Sequence, residues 1–237
     1  MPALTRPRND VRQYDDLAEQ WWAPRGKFAM LHWIATARAE LVPRASRPGS
    51  VLVDLACGAG LFAGHAARLG YTHIGVDLSV TALPQARDHG VLVARGDVLR
   101  LPMRDGVADV VTAGEILEHV TDLSAALTEA CRVLRPGGTL VIDTIADTRL
   151  ARLIAVTLAE NIPGGAPKGI HDPALFVDRD RLRRECAEHG VQVHLSGLRP
   201  SLVDNVLWLL RRRDSVRMLK TRPTAVLFQG HGVKEAR

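Results

Sequence analysis

The residues best suited to chemistry follow the ends of two predicted strands. The first strand runs into a glycine-rich turn with the sequence DLACGAG at residues 54–60. Glycines there let the backbone approach a ligand without Cβ atoms in the way, and a following helix offers free N–H groups to a carboxylate. The second strand ends in Asp77 and Leu78, about twenty residues further on, where a carboxylate can accept both ribose hydroxyls of a nucleoside. This spacing predicts a nucleoside cofactor.

A third strand end adds to this prediction without settling which nucleoside is bound. Asp97 and Val98 follow the third predicted strand, where a side-chain carboxylate and a backbone N–H could hold an adenine. NAD enzymes share the glycine turn and the acidic residue, but their loop favours G-x-G-x-x-G. Here no glycine stands three residues beyond Gly60, although Gly64 is nearby. An NAD-linked oxidoreductase therefore remains an alternative, with the loop against it.

A second group of polar residues follows the fourth predicted strand. Glu115, Glu118 and His119 are spaced i, i+3, i+4, so one helical face could gather them into a metal site. The same spacing also fits cofactor contact or packing at an exposed helix start. Imidazole is an unusual ligand for Mg²⁺, which prefers oxygen. Metal binding and these simpler roles both stay open.

Two further features bear on catalysis and packing. His171 could be a general base or a substrate contact, because an imidazole titrates near neutral pH, but His171-Asp172 could equally cap a turn. Trp21 and Trp22 could line a pocket for an aromatic molecule, although an apolar helical face is more often simple packing. We interpret Cys57 as a small buried residue.

The elements that must position these residues alternate between strand and helix. Predicted strands cover 50–55, 73–76, 91–94, 108–113, 139–143, 191–195 and 224–229, and predicted helices cover 10–22, 28–41, 61–69, 80–89, 123–133 and 182–189. Parallel strands need long crossovers, so this alternation predicts a Rossmann-like, doubly wound α/β fold. We expect a mainly parallel seven-stranded sheet with a C-terminal antiparallel strand, N-terminal helices and a helical insertion after the fifth strand.

Composition excludes several classes of protein. The 237 residues are 46% hydrophobic, which is typical of one folded domain and not of a disordered chain. The net charge of +5 is spread thinly and aromatic residues make up 4%, so a nucleic-acid partner is not expected. The three cysteines have no zinc-type or disulfide-type spacing, and no signal peptide or membrane span is evident. A cytoplasmic protein is expected.

Taken together, these motifs resemble the class I S-adenosylmethionine (SAM)-dependent methyltransferases. DLACGAG, GVDLS, GDVLRLP, ADVVTAGEILEHV and LRPGGTLVIDT resemble their successive motifs. A narrower resemblance, over roughly residues 14–185, is to the ubiquinone-biosynthesis O-methyltransferases. It is carried by YDDLAEQWW, by LHWIATAR and by the PKG-x-HD-x-x-x-F pattern after the fifth strand.

The resemblance implies a reaction, a domain plan and a set of site residues. It implies methyl transfer from SAM to a phenolic or catechol hydroxyl, with Mg²⁺ as a candidate second cofactor held by Glu115, Glu118 and His119. His171 and His119 are the candidate catalytic residues. Residues 1–45 would form a helical cap and 46–237 the methyltransferase domain, with substrate-side insertions at 145–180 and 200–222. The predicted cofactor contacts are Arg38, Asp54, Gly58, Gly60, Asp77, Leu78, Asp97, Val98 and Gly114.

Departures from the family pattern leave the acceptor open. Ala56 and Ala59 stand where the family's loop is richer in glycine, and LHWIATAR lacks the family's asparagine and proline. A hydroxyl or amine of a secondary metabolite is an alternative acceptor, and a SAM-binding module without catalysis is an alternative of another class. Residues 201–220 combine an apolar run with five basic residues, which fits either a helix on an anionic membrane surface or a lid or homodimer element.

Overall fold

The computed structural model describes residues 6–161 and 166–236. Within them the chain forms an eight-stranded sheet in the order β3-β2-β1-β4-β5-β8-β6-β7. Strands β1 to β5 are parallel, whereas β8, β6 and β7 pair antiparallel. The strands are β1 Val51–Leu55, β2 Thr72–Asp77, β3 Leu92–Arg95, β4 Ala108–Gly114, β5 Leu134–Ile145, β6 His194–Pro200, β7 Met218–Thr221 and β8 Leu227–Val233. The Rossmann-like fold prediction is confirmed.

Helices connect the strands and cover both faces of the sheet. They are α1 Arg12–Asp16, α2 Ala29–Ala39, α3 Ala63–Leu69, α4 Ala82–Asp88, α5 Leu123–Val133, α6 Arg149–Ala151, α7 Arg179–Glu188 and α8 Leu202–Leu209. After α6 the chain continues as a π-helical segment, Arg152–Leu158, and short 3₁₀ turns occur at Ala18–Gln20, Ala159–Asn161 and Pro173–Leu175. The insertion after β5 is therefore helical, as expected. Its Pro-Gly-Gly stretch at 163–165 lies outside the described residues.

The strands are apolar on both faces because the sheet lies between two helical layers. Successive β1 residues alternate between the layers: Val53 belongs to the core cluster that includes α5 and α7, and Leu52 to the cluster shared with α2 and α3. Buried parallel strands require this two-sided covering. The carboxyl ends of β1 to β5 consequently meet at one edge of the sheet, and the loops that follow them carry most of the predicted site.

Two differences from the sequence prediction concern the C-terminal third. The sheet has eight strands instead of seven, because Met218–Thr221 pairs with β6. The apolar run from 201 supplies only the eight-residue helix α8, which ends at Leu209. By contrast, α5 has the predicted bounds, with the Asp122 side chain accepting from Ala125 N at its start. In the described residues no helix is long and apolar enough to cross a membrane.

Candidate active site

The glycine-rich turn after β1 takes a conformation that few residues adopt easily. Gly58 and Gly60 have positive φ angles of 52° and 78°, and Ala56 also lies in the left-handed region at 53°. Cys57, buried as expected, donates its backbone N–H to Val76 O on the neighbouring strand β2. The turn thereby crosses from β1 towards the end of β2 before α3 begins.

Asp77 at the end of β2 joins this turn to the next loop. Its Oδ2 accepts from Gly58 N at 2.8 Å and its Oδ1 from Ser79 N at 2.7 Å. Burial raises the pKa of Asp77, although the surrounding N–H groups oppose the rise. The structure thus brings together the predicted residues Gly58, Gly60 and Asp77 at one lip of the sheet.

Three further predicted cofactor residues near this lip, Asp97, Val98 and Leu78, differ in how far they are exposed. Asp97 follows β3, beside the β2 end, where its Oδ1 accepts from Leu99 N at 2.9 Å. Val98 packs in the core, whereas Leu78 is 46% exposed. Asp97 and Leu78 therefore border open space, and Val98 can offer a ligand only its backbone.

Asp54 lies inside the sheet rather than at its lip. Thr112 on β4 donates its hydroxyl to Asp54 Oδ1 at 2.6 Å, and His73 Nε2 lies 3.4 Å from Oδ2. Burial acts to raise the pKa of Asp54, but His73, Arg38 and Thr112 outweigh it and lower that pKa. As placed, Asp54 ties β1 to its two neighbouring strands and does not reach the lip.

Arg38 on α2 makes a buried pair with Asp143 on β5. Its Nε and Nη2 donate to the two oxygens of the Asp143 carboxylate, with the Nη2 to Oδ1 distance at 2.8 Å. A Cβ added at Gly114 would lie 1.8 Å from Arg38 Cζ, so only glycine leaves room for the guanidinium. Asp143 escaped the sequence analysis, although it stands near the end of a strand as Asp77 does.

An N-terminal segment, residues 9–28, covers these loops, and we refer to it as the N-terminal cover. A Cβ at Gly58 would lie 2.7 Å from the Trp21 ring, which therefore lies directly over the turn. Trp22 Nε1 donates to Ala59 O at 3.1 Å. Asp15 accepts from the hydroxyl of Ser79 at 2.6 Å. Both tryptophans thus contact the predicted cofactor turn, in addition to packing.

The residues after β4 form a turn, not the helix that their spacing suggested. Glu115 has a φ of 52°, and Glu118 is fully buried with its Oε2 accepting from the Thr144 hydroxyl at 2.7 Å. Burial raises the pKa of Glu118 to about 7; burial and the Glu118 charge raise that of Glu115 well above its ordinary value. The other Glu118 oxygen and Glu115 Oε1 are buried without a hydrogen-bond partner among the described residues.

His119 turns away from these carboxylates. Its Nδ1 lies 2.6 Å from Asn9 Oδ1 and its Nε2 lies 3.2 Å from the Tyr14 hydroxyl, so both ring nitrogens have partners. Burial lowers the pKa of His119 to about 3. In the part of the chain that the structure describes, no three acidic, histidine or cysteine side chains are arranged to hold a metal ion. The predicted three-residue metal site is therefore not assembled.

His171 approaches the same turn from the insertion after β5. Its ring stacks on that of His119 with the centroids 5.6 Å apart. Its Nδ1 lies 3.5 Å from Glu160 Oε1, and Arg8 Nη1 donates to the His171 carbonyl at 2.8 Å. The two candidate catalytic histidines are thus neighbours. Each ring nitrogen of His119 has a partner, whereas the described residues supply no hydrogen bond to the His171 ring. Sequence reasoning missed Asn9 and Arg8, which contact residues far away in the chain, and Glu160, which precedes His171 within the insertion.

The arrangement divides the sheet edge into two parts. Glycine and carboxylate groups after β1, β2 and β3 suit a nucleoside, while buried carboxylates and a histidine pair lie after β4 and β5. Ligands of open α/β sheets bind at this edge, where the strand order reverses beside β1. A cofactor and an acceptor molecule could therefore meet there, covered by the N-terminal segment.

Comparison with known proteins identifies the cofactor chemistry. Residues 53–142 match the family model described as a methyltransferase domain. The chain is 32% identical to a ubiquinone biosynthesis O-methyltransferase of Thiobacillus denitrificans, over 91% of this chain and 97% of that protein. It is also 32% identical to the Azoarcus protein of the same name, over 90% and 95%.

Solved structures agree on the fold. A SAM-dependent methyltransferase from Thermotoga maritima, titled a possible histamine N-methyltransferase, superposes with a TM-score of 0.64 at 21% identity, over 94% of this chain and 97% of that one. The protein is a SAM-dependent methyltransferase. With near full-length relatives above 30% identity, the chain belongs to the ubiquinone biosynthesis O-methyltransferase family.

Proposed function

We propose that the protein transfers the methyl group of SAM to a phenolic or catechol hydroxyl of a quinone precursor or related aromatic. The observation that carries the proposal is the placement of His171 beside the turn after β4, at the same sheet edge as Gly58 and Asp77. An O-methyltransferase needs a proton acceptor beside the cofactor, and the relatives that share this chain's full length are named for O-methylation.

The residues divide the work between holding the cofactor and handling the acceptor. Bound SAM supplies an activated methyl as a sulfonium, so the protein has to position the partners and take up a proton. Asp77 and the Gly58 turn would hold the ribose and amino-acid portions, while Arg38, backed by Asp143, would face the carboxylate end. His171 would receive the proton of the acceptor hydroxyl.

The first experiment is a methyl-transfer screen with radioactively labelled SAM. Catechols with short and long prenyl tails, simple phenols and aromatic amines are compared, and SAM and NAD binding are measured by calorimetry. We expect SAM binding and labelling of a catechol. Labelling confined to amines would contradict O-methylation, and SAM binding without labelling of any acceptor would favour a module without catalysis.

We further propose that Glu115 and Glu118 hold Mg²⁺, which would lower the pKa of a chelating catechol hydroxyl. The two unpartnered buried carboxylate oxygens fit a hard cation, whereas His119, with both nitrogens occupied, does not. Calorimetry with Mg²⁺ should show binding to the wild type and at least tenfold weaker binding to Glu118→Gln. Equal Mg²⁺ affinities of the wild type and Glu118→Gln, or methyl transfer that EDTA does not affect, would contradict the metal proposal.

A peripheral contact with an anionic membrane surface is also proposed, through α8. Its buried face carries Trp208, while its outer face exposes apolar side chains beside the basic residues Arg211 and Arg212. β5 and β6 run in the same direction on either side of β8. The helices that follow them, α6 and α8, therefore begin at the same edge of the sheet, where the candidate site lies. The exposed apolar residues are Leu202, Val203, Val206 and Leu209 on α8, with Leu210 directly after it.

Vesicle sedimentation tests this contact. Leu202→Glu should abolish binding to vesicles containing anionic lipid, because it places charge in the apolar face. Leu92→Glu is the matched control, since Leu92 is 59% exposed on β3 at the far end of the sheet. Equal binding of both variants, or a concentration-dependent dimer that Leu202→Glu dissociates, would contradict the membrane proposal.

A further inference from the structure

Glu160 is a buried carboxylate with an unusual set of partners. Its side chain is only 3% exposed, yet it lies on a short 3₁₀ turn of the insertion after β5. Arg8 Nη1 lies 3.1 and 3.2 Å from its two oxygens, and Gly169 N donates to Oε2 at 2.9 Å. Burial acts to raise the pKa of Glu160, but these partners and His171 lower it overall, so it is an anion at neutral pH.

The carboxylate is directed at the His171 ring. Glu160 Oε1 lies 3.5 Å from His171 Nδ1 and 3.4 Å from the His171 backbone N. The first distance is long for a hydrogen bond, but Nδ1 is buried and has no other acceptor among the described residues. A modest rotation of the His171 ring would therefore bring Nδ1 and Glu160 Oε1 to hydrogen-bond distance. The Glu160 anion favours a proton on Nδ1.

That proton decides which nitrogen can act as a base. A neutral imidazole carries one proton, so an Nδ1–H directed at Glu160 leaves the Nε2 lone pair free. No side chain of the described residues hydrogen-bonds Nε2. The groups that face His171 are Glu160 from the insertion, Arg8 from the N-terminal segment and the neutral His119 from the turn after β4, with Asp172 next in the chain.

We infer that Glu160 is a positioning residue that fixes the tautomer and orientation of His171, so that Nε2 faces the acceptor hydroxyl. The inference rests on the proposed function. As the acceptor oxygen attacks the methyl carbon, its O–H bond breaks and the proton passes to Nε2. The new O–CH₃ bond forms as the C–S bond of SAM breaks, leaving S-adenosylhomocysteine, and the proton then leaves to water. Arg8 balances the Glu160 charge and holds the His171 carbonyl.

The decisive experiment reads the tautomer directly and needs no substrate. In protein labelled with ¹⁵N-histidine, the His171 signals are assigned by their loss in His171→Gln and recorded at alkaline pH. The wild type should show Nδ1–H, whereas Glu160→Leu should show Nε2–H, the form that free histidine prefers. Nε2–H in the wild type would overturn the inference.

Kinetics provide the second measurement, with variants matched for folding. Glu160→Gln should lower kcat about 10- to 100-fold with little change in KM, and Glu160→Asp should recover part of the loss. Glu129→Gln is the control, because Glu129 also pairs with an arginine and a backbone N–H but lies on α5. A Glu160→Gln effect no larger than that of the control would overturn the inference.

The two readouts separate this inference from the proposed function. If the wild type methylates no acceptor, the proposed function fails while the tautomer measurement still tests the pairing of Glu160 with His171. If the wild type is active and the tautomer is unaffected by Glu160→Leu, only the positioning role fails.

Discussion

Replacing Ala56 by glycine should stabilise the protein. Ala56 is a non-glycine residue at φ 53° in the cofactor turn. Its Cβ costs about 1–2 kcal/mol in the left-handed region, whereas glycine loses about 0.5–1 kcal/mol more conformational entropy on folding. The net gain is about 0.7 kcal/mol in the free energy of unfolding. For a chain of this size that gain raises Tm by about 2 °C.

Ala59→Gly is the matched control, because Ala59 lies in the same turn without a positive φ and is fully buried. It should lose about 0.5–1 kcal/mol for the entropic reason, and about 0.8 kcal/mol more because a buried methyl group is removed. Thermal unfolding by circular dichroism and urea titration of both variants give the comparison. The reasoning is refuted if both variants shift downwards, or if Ala56→Gly is no more stable than Ala59→Gly.

Two more predictions follow from the same edge of the sheet. Gly114→Ala should break the Arg38–Asp143 pair, lowering the free energy of unfolding by about 3–5 kcal/mol and the affinity for SAM at least tenfold. Gly64→Ala is the control, because position 64 is open and should tolerate a methyl group. Urea unfolding and calorimetry measure the two effects, and equal effects in both variants would contradict the prediction. Glu118→Gln should weaken the pH dependence of stability. Between about pH 4.5 and 7, folded Glu118 holds a proton that the unfolded chain has lost, so the free energy of unfolding of the wild type falls as the pH rises. That of the variant should fall less. The free energy of unfolding of both EDTA-treated proteins is measured at pH 5 and pH 8. An equal change between these pH values in the wild type and in Glu118→Gln would contradict that reasoning.

Local patterns predicted the sheet well because strand ends and glycine turns carry their own signals. Gly58 and Asp77 both follow parallel strands, which end at one edge of a sheet, and the structure has Asp77 accepting from Gly58 N. The i, i+3 spacing of Glu115 and Glu118 suggested a helical face, but the same spacing also occurs in the turn that the structure has there. Strand β7 was missed because Met218–Thr221 is only four residues long and follows a basic stretch, so its apolar pattern is weak.

The partners that complete the site could not be predicted from local pattern. Arg38 and Asp143 are 105 residues apart in the chain, and Arg8 and Glu160 are 152 apart. Single-sequence periodicity carries no information about such pairs, which depend on how the layers pack. Asn9 is a similar case, since nothing in its neighbourhood indicates that it reaches His119.

The N-terminal cover has an implication for how the family can diversify. It joins no strand ladder, and it reaches Ala59 at one side and Gly169 at the other mainly through side chains and single backbone contacts. An exchange of this segment between relatives would therefore change the walls around an incoming aromatic. It would also have to keep the contacts that Trp21 makes with the Gly58 turn and Asn9 makes with His119.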